Sequence, residues 1–313
     1  MVRTADTLTN RRQVWAARRA EMEAGDEKHT PFGTRRRRWS IFKRYLTLAG
    51  LVIKAAGLQA RGKRNALDIR LVELSLSPEG LPAAFDGYRL LHITDPHFDG
   101  LPGLDERIVA LTGGLALDLV VLTGDYRWRV HGAFAQVMPA FARLRAALTP
   151  RDGIYATLGN HDTVAMAEPL EQLGIALLAN ETVTLARNGE TLHLTGLDDV
   201  HYYYTAMARA ALREAPPGCR IALVHSPEAA RLAAGAGYAL YLCGHTHGGQ
   251  ICLPNGSPIL THSALYWRYA KGLWRCGRMI GYTGNGVGVS GLPVRFFSRG
   301  EVTLITLRCP AAS

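Results

Sequence analysis

The feature that most constrains the fold is a pattern of five short apolar runs, each followed directly by polar residues. These runs predict buried strands over residues 88–94, 119–123, 154–158, 220–224 and 238–242. Nearly continuous apolar stretches of this length are typical of strands that are buried on both faces. Because segments with helical spacing lie between several of them, the chain is predicted to form an α/β layered fold.

The residues that follow these strands carry the candidate functional groups. Open α/β sheets place their sites just outside the carboxyl ends of the strands, so we expect these side chains to lie together. A purely structural role would scatter them along strand interiors and helix faces. The seven candidate metal ligands are Asp95, His97, Asp125, Asn160, His225, His245 and His247.

The donor atoms of this set indicate the chemistry. Two carboxylates, one amide oxygen and four imidazoles suit Mn²⁺, Fe or Zn²⁺, and the lack of cysteine ligands argues against a structural zinc site. Seven ligands are too many for one tetrahedral ion, but they suit two ions that share a carboxylate. Such a pair activates water and stabilises the attacking and leaving oxygens of a phosphoryl displacement.

The ordered motifs resemble those of the calcineurin-like metallophosphoesterases. The series is Asp95-x-His97, Gly124-Asp125, Gly159-Asn160-His161-Asp162, His225 and Gly244-His245-Thr246-His247. The resemblance spans about residues 68–308. Segments 244–251 and 291–296 look like the bacterial branch of small phosphodiesterases, which is similar to the UDP-2,3-diacylglucosamine pyrophosphatases of lipid A synthesis.

The resemblance implies a four-layer αββα sandwich and a role for each ligand. It assigns Asp95, His97 and His247 to a first metal, Asn160, His225 and His245 to a second, and Asp125 to a bridge between them. It also implies that His161 is a general acid or electrostatic stabiliser beside the leaving group. Asp162 is expected to orient an imidazole.

The chain departs from the protein serine/threonine phosphatases of that superfamily. Those enzymes carry Asp-Arg-Gly soon after the Gly-Asp motif, where this chain has Tyr126-Arg127-Trp128, and Glu after Asn-His, where it has Asp162. The departure argues against a phosphoprotein substrate.

Three further residues are candidate substrate contacts. Arg127 can pair with a second phosphate, or it can be an ordinary surface arginine. His201 and Tyr202 belong to a segment that either lines the substrate cleft, where tyrosines stack on a base or sugar, or forms a loop over the core.

Charge divides the chain into two predicted parts, a basic N-terminal extension (1–67) and a catalytic domain (68–313). Residues 1–70 contain 17 Lys and Arg against 6 Asp and Glu, whereas the remaining 243 residues contain 19 against 20. A basic segment on a neutral body suggests attraction to lipid head groups or nucleic acid. The lack of a basic stripe around the motifs makes nucleic acid the less favoured partner.

Residues 35–58 combine an arginine run with aromatic and aliphatic residues. The uncharged stretch of residues 45–53 is too short to span a bilayer, which needs about 20 apolar residues. We therefore expect peripheral contact in the membrane interface, at the cytoplasmic face. Export by a twin-arginine signal, which would give an exported form, and a chain without membrane contact are the alternatives.

The sequence thus predicts a phosphodiesterase or pyrophosphatase with two divalent metal ions, in which a hydroxide shared by the metals attacks phosphorus. The favoured substrate is a membrane glycolipid such as UDP-2,3-diacylglucosamine. A metal-dependent nuclease or cyclic-nucleotide phosphodiesterase is one alternative. A catalytically silent binding protein on the same fold is the other. The oligomeric state is not predicted.

Overall fold

The computed structural model of the chain describes residues 5–36, 39–259 and 267–309. The helices in these ranges are α1 (Ala5–Ala24), α2 (Trp39–Ala55), α3 (Gln59–Leu67), α4 (Leu104–Thr112), α5 (Met138–Ala147), α6 (Ala167–Gln172), α7 (Ala206–Glu214) and α8 (Ala230–Gly235). The strands are β1 (Glu27–Thr30), β2 (Gly33–Arg36), β3 (Arg70–Leu76), β4 (Arg89–Ile93), β5 (Leu119–Thr123), β6 (Ile154–Thr157), β7 (Ile175–Leu177), β8 (Glu181–Arg187), β9 (Glu190–Gly196), β10 (Cys219–Leu223), β11 (Leu240–Cys243), β12 (Gly272–Cys276), β13 (Met279–Thr283) and β14 (Glu301–Leu307).

Two six-stranded mixed sheets form the body. The first has the order β3-β14-β4-β5-β6-β7, and the second has the order β12-β13-β11-β10-β9-β8. Strands β4 to β7 are parallel to one another, as are β9, β10, β11 and β13. The carboxyl ends of these parallel strands therefore meet at one edge of each sheet.

Alternating side chains of the strands build separate cores on the two faces of each sheet. On β5, Leu119 and Val121 face the space between the sheets, while Val120 and Leu122 pack beneath the helices on the outer face. Strand β10 does the same in the second sheet. Helices α4, α5 and α6 cover the first sheet, and α7 and α8 cover the second.

This arrangement confirms the predicted four-layer αββα sandwich. The five apolar runs form β4, β5, β6, β10 and β11. Residues 105–117 have helical spacing in the sequence, but helix α4 ends at Thr112, because its C-cap residue Gly113 leaves the helical conformation.

The N-terminal segment contacts the body at several points. Trp15 of α1 is buried in the core on the outer face of the first sheet, and Arg12 donates to the Leu177 carbonyl at 2.8 Å. The backbone of His29 on β1 donates to Tyr202 O at 2.8 Å and accepts from Tyr204 N at 3.1 Å. The division of the chain after residue 67 stays a prediction, although α1 packs on the predicted catalytic domain.

Helix α2 forms most of the segment that we predicted to contact a membrane. Arg37 and Arg38 of that segment lie outside the described residues. In the part of the chain that the structure describes, no helix combines the length and the apolar character that crossing a membrane requires.

Candidate metal centre

All seven predicted ligands come together at the carboxyl edge of the two sheets. Asp95 and His97 follow β4, Asp125 follows β5, and Asn160 follows β6. The histidines His225, His245 and His247 follow β10 and β11 of the second sheet. Their exposed fractions range from 0% to 6%.

The backbone holds five of these residues in an unusual conformation. Asp95, His97, Asp125, His245 and His247 have φ angles between +39° and +73°. This left-handed region is sparsely populated by residues other than glycine and costs about 1–3 kcal/mol per residue. The strain persists because the sheets fix both sides of each loop, and it turns the side chains toward one another.

Close packing of backbone against the ligands leaves no room for a side chain at two glycines. A Cβ atom added to Gly244 would lie 2.0 Å from Asp95 Oδ2, and one added to Gly159 would lie 2.3 Å from Asp125 Oδ1. Glycine is required at both positions so that the ligands can approach the neighbouring loops.

One group of ligand atoms belongs to Asp95, His97 and His247. The Nε2 atoms of the two histidines are 3.2 Å apart, and His247 Nε2 is 3.6 Å from Asp95 Oδ1. The ligand atoms of all three residues lie within 4.8 Å of one another. Two imidazole nitrogens and a carboxylate at these separations can hold one divalent ion.

A second group lies beside the first. His225 Nε2 is 3.2 Å from both Asn160 Oδ1 and His245 Nδ1. Asp125 joins the two groups, because its Oδ2 atom is 3.3 Å from His225 Nε2 and 3.7 Å from His97 Nε2. These buried His/Asp clusters fit a dinuclear metal site, in which Asp125 would be close enough to serve both ions.

Hydrogen bonds to backbone carbonyls fix the orientation of two of the imidazoles. His97 Nδ1 donates to Arg127 O at 2.7 Å, and His225 Nδ1 donates to Thr123 O at 2.8 Å. Because a carbonyl can only accept, each ring directs Nε2 into the cluster as its metal-binding nitrogen. Ring nitrogens directed into the cluster together with carboxylate oxygens are donors that suit a pair of cations.

Burial changes the protonation of the cluster. It raises the pKa of Asp95 to about 6 and lowers the pKa of His97 to about 4. Burial acts in the same direction on Asp125, but the neighbouring His225 and His161 imidazoles outweigh it and hold the pKa of Asp125 well below its usual range. The surroundings of the two carboxylates therefore favour the charged form of Asp125 more than that of Asp95.

His161 lies next to the Asp125 carboxylate and is more exposed than the seven predicted ligands. Its Nδ1 donates to Trp128 O at 2.6 Å, and its Nε2 is 3.9 Å from Asp125 Oδ2. With His97 and Asp125 it forms a third close group of potential ligand atoms. The side chain is 13% exposed, so it can reach a substrate from the rim of the site.

Asp162 forms hydrogen bonds with backbone N–H groups rather than with an imidazole, and in this it differs from the prediction. Its fully buried carboxylate accepts the backbone N–H groups of Asp125 at 2.7 Å, Tyr126 at 2.8 Å and Gly159 at 2.7 Å. The reason is local geometry, because the chain turns at residues 159–162 and points this side chain back into its own loop. Asp162 thereby fixes the loops of Asp125 and Asn160 to each other.

The side chain of Arg127 also forms hydrogen bonds with backbone groups. The guanidinium donates to the carbonyls of His161, Gly132 and Val130, and the residue is 2% exposed. Contact between Arg127 and a second phosphate stays a prediction, whereas its role in holding the His161 loop is visible.

His201 and Tyr202 lie beside the second group of ligands. The His201 ring centroid is 4.0 Å from that of His245 and 4.9 Å from that of Tyr202. Lys28 of β1 places Nζ 2.6 Å from His201 Nε2, and Glu228 accepts from His201 Nδ1 at 2.6 Å. Their contact with substrate stays a prediction.

The comparisons with known proteins agree with this geometry. A family model described as calcineurin-like phosphoesterase matches residues 88–249, which include all seven ligands. The chain belongs to this family. It is a metal-dependent phosphoesterase, and the four layers and the buried His/Asp clusters of the structure are those that such a hydrolase requires.

Three relatives indicate the breadth of the family. The chain is 30% identical over 255 residues to an uncharacterized metallophosphoesterase of Bacillus subtilis, YkuE, covering 77% of this chain and 86% of the relative. It is 29% identical over 230 residues to the phosphodiesterase YaeI of Escherichia coli, covering 70% and 82%. A Danio rerio transmembrane protein with a metallophosphoesterase domain is 30% identical over 289 residues, covering 84% of this chain and 62% of that protein.

Two buried arginines near the centre have no counterpart in the predicted site. Arg295 donates to the carbonyls of Gly288 and Asn285 and to that of the ligand His247. Its only sequence signal is the 291–296 motif of the resemblance. Arg19 of α1 has no comparable signal, because it lies among other charged residues of a polar helix.

Proposed function

We propose that the protein uses two divalent ions to hydrolyse a phosphodiester or pyrophosphate bond in an amphiphilic substrate at a membrane surface. The observation that carries the hydrolytic part is the position of Asp125 Oδ2, within 3.7 Å of ligand nitrogens from both groups. Manganese, iron and zinc ions all match the mixture of imidazole and oxygen donors.

The ions and the residues around them have separate roles in the proposed reaction. When bound, the ions activate water for attack and stabilise charge on the phosphoryl oxygens. The hydrogen bond from His161 Nδ1 to Trp128 O leaves Nε2 as the ring atom that faces the site. A protonated Nε2 donates to the leaving oxygen. The His161 N–H donates to Asp125 Oδ1 at 2.8 Å and so fixes the acid relative to the bridge.

The wall next to His245 supports a contact with the part of the substrate beyond the scissile phosphate. His201 and Tyr202 are stacked at an interplanar angle of 25°, and the Lys28 ammonium lies 5.1 Å from the Tyr202 ring centroid. An aromatic face beside a cation suits a base or sugar that carries a second phosphate.

Helix α2 supports the membrane part of the proposal. Leu48, Leu51 and Val52 are spaced to share one helix face and are 61%, 60% and 59% exposed. On another face, a Cβ atom added to Gly50 would lie 3.2 Å from Leu292 Cδ2. The Leu292 carbonyl accepts a hydrogen bond from the side chain of Gln250, and Gln250 lies three residues after the predicted ligand His247. The apolar face therefore lies on an element that is close to the metal centre.

Basic residues accompany this apolar face. Arg35 and Arg36 on β2, Arg44 and Lys54 on α2 are all exposed. A helix with apolar and basic residues binds in the interface of an anionic membrane. The five cysteines are free thiols, which supports a reducing compartment and hence the cytoplasmic face.

A nucleotide-linked glycolipid such as UDP-2,3-diacylglucosamine combines the features that this surface suits. It has acyl chains for the membrane, a pyrophosphate for the metal centre, and a base and sugars for the aromatic wall. The relative from Escherichia coli that is named a phosphodiesterase supports a substrate with two esterified phosphate oxygens.

The hydrolytic assignment is tested by turnover of bis-p-nitrophenyl phosphate by wild type and His161→Gln. Loss of the acid should lower kcat by about 10²–10⁴-fold, while the binding stoichiometry of Mn²⁺ stays at two. Equal kcat in the two proteins would remove His161 from the mechanism.

The substrate class is tested by presenting UDP-2,3-diacylglucosamine in micelles with anionic lipid. Leu48→Gln/Leu51→Gln should lower this turnover at least tenfold, since burying one leucine contributes about 1.5–3 kcal/mol, and should leave turnover of the soluble diester unchanged. Leu273→Gln, at a position that is 53% exposed on β12, is the matched control. Hydrolysis of nucleic acid with a steep dependence on salt would instead indicate a nuclease.

A further inference from the structure

The guanidinium of Arg19 reaches from α1 into the loop that carries Asn160 and His161. Its side chain is 0% exposed. Nη2 donates to Gly159 O at 3.1 Å and to Asp162 O at 2.9 Å. These two carbonyls are the ones directly before and directly after the Asn160-His161 pair.

Other contacts fix the guanidinium where it is. Nη1 forms an ion pair with Asp198, and Nε donates to Glu23 Oε1 at 2.8 Å. The Arg19 Cζ atom lies 3.7 Å from the centroid of the Tyr203 ring. Trp15 Nε1 donates to the second oxygen of Asp198 at 2.8 Å, so the partner carboxylate is fixed as well.

Helix α1 also holds the chain just after this loop. The Glu23 carboxylate accepts from Val164 N at 2.8 Å and from Thr163 Oγ1 at 2.6 Å. Arg127 holds the His161 carbonyl from the other side. Two arginines and one glutamate, two of them from α1, thus bind the backbone of residues 159–164.

We propose that Arg19 is a positioning residue of the metal centre. By holding the carbonyls on both sides of Asn160-His161, it sets the ligand oxygen of Asn160 and the proton-donating ring of His161 relative to Asp125. The inference rests on the proposed function, in which Asn160 holds an ion and His161 serves the leaving group. It makes α1 a part of the catalytic unit.

The expected loss of rate and of metal affinity follows from how little displacement catalytic groups tolerate. Catalytic groups must be held within about 0.5 Å of their productive geometry, and a displacement of about 1 Å can lower the rate by 10²-fold. Removal of partners that orient metal ligands typically lowers metal affinity or activity by about 10–100-fold. The ion on the side of Asn160, His225 and His245 should be affected more than the other.

The test compares Arg19→Ala and Arg19→Lys with the control Arg18→Ala. Arg18 is the adjacent residue on α1 and pairs with Glu21 on the exposed side of the helix. Lysine keeps the charge beside Asp198, but one ammonium cannot replace three guanidinium nitrogens that contact Asp198, Glu23 and the two carbonyls at once. The measurements are Mn²⁺ titration calorimetry, kcat and KM for bis-p-nitrophenyl phosphate, and circular dichroism of each variant.

We expect both Arg19 variants to bind one of the two Mn²⁺ ions about 10–100-fold more weakly, to lose kcat with little change in KM, and to keep the wild-type circular dichroism. Guanidinium ion at tens of millimolar should restore part of the kcat of Arg19→Ala and none in Arg19→Lys. Arg18→Ala should match wild type. If Arg19→Ala does not fold, Arg19→Lys decides the question.

A folded Arg19→Lys with wild-type Mn²⁺ affinity and kcat would overturn the inference. A wild type that binds two Mn²⁺ ions without hydrolysing a phosphoester would overturn the proposed function alone, because the affinity of the variants still reports the position of Asn160. A wild type that binds no Mn²⁺ would overturn both.

Discussion

The first two helices of the chain differ in a way that composition does not predict. Helix α1 is polar and charged, yet Trp15, Arg19 and Met22 are buried against the catalytic body. Helix α2 is apolar, yet Leu48 and Leu51 are more than half exposed. A few buried side chains, apolar as well as polar, bind α1 to the body although the helix is polar overall, whereas the apolar α2 keeps an exposed apolar face.

This difference decides how the segment should be tested. Deleting residues 1–60 would remove the buried side chains of α1 together with the apolar face of α2. A loss of activity in that deletion would not distinguish catalytic damage from lost membrane contact. Point variants on each helix separate the two effects.

The largest effect is expected when the anchor of α1 is removed. Trp15→Ala deletes a side chain that is 3% exposed and whose Nε1 donates to Asp198. The free energy of unfolding should fall by about 3–5 kcal/mol, measured by urea denaturation. Val14→Ala, at a neighbouring position that is 54% exposed, should change it by less than about 0.5 kcal/mol. Similar losses in both variants would contradict the docked position of α1.

A smaller loss of stability is expected on α3, where the N-terminal segment packs on the body again. A Cβ atom added to Gly62 of α3 would lie 2.6 Å from Val294 Cβ. Gly62→Ala should therefore destabilise the protein by about 1–3 kcal/mol, despite the gain in helix propensity. The matched variant is Gly50→Ala on α2, where the nearest atom is the end of the Leu292 side chain.

Gly50→Ala should be neutral or stabilise by up to about 1 kcal/mol, because alanine favours the helix. Thermal unfolding of the two variants gives the comparison directly. If Gly50→Ala destabilises as much as Gly62→Ala, α2 is packed as tightly as α3.

The smallest effect on stability is expected on the apolar face of α2. Leu48→Gln/Leu51→Gln should change the free energy of unfolding by less than about 1 kcal/mol in total, since both side chains are exposed. The same variant should lose sedimentation with vesicles of anionic lipid. A destabilisation comparable to that of Trp15→Ala would show that this face packs within the protein.

Much of the fold could be predicted from the sequence because many strands of the body are short apolar runs that can be recognised locally. Short apolar runs such as 119–123, bounded by turn residues, are typical of buried strands, and parallel strands bring their polar ends to one edge. The approach of Asp125 to His225 and His97 followed from that rule together with the order of the motifs.

The contacts of the arginines were not accessible because they join distant parts of the chain through backbone carbonyls. Arg19 meets Gly159 across 140 residues, and a carbonyl leaves no trace in the sequence. The same reason explains Asp162, whose carboxylate binds backbone N–H groups instead of an imidazole.

In the proposed function, phosphoester hydrolysis requires two ions, and Asp125 would contact both of them. The most direct measurement follows bis-p-nitrophenyl phosphate turnover of chelator-treated protein while Mn²⁺ is added, with ion stoichiometry determined in parallel for wild type and Asp125→Asn. We predict no turnover without metal, restoration as the second ion binds, and at least a 10³-fold lower rate in Asp125→Asn, in line with about 4 kcal/mol of lost stabilisation. Full turnover after metal removal, or an active Asp125→Asn with one ion, would contradict the account.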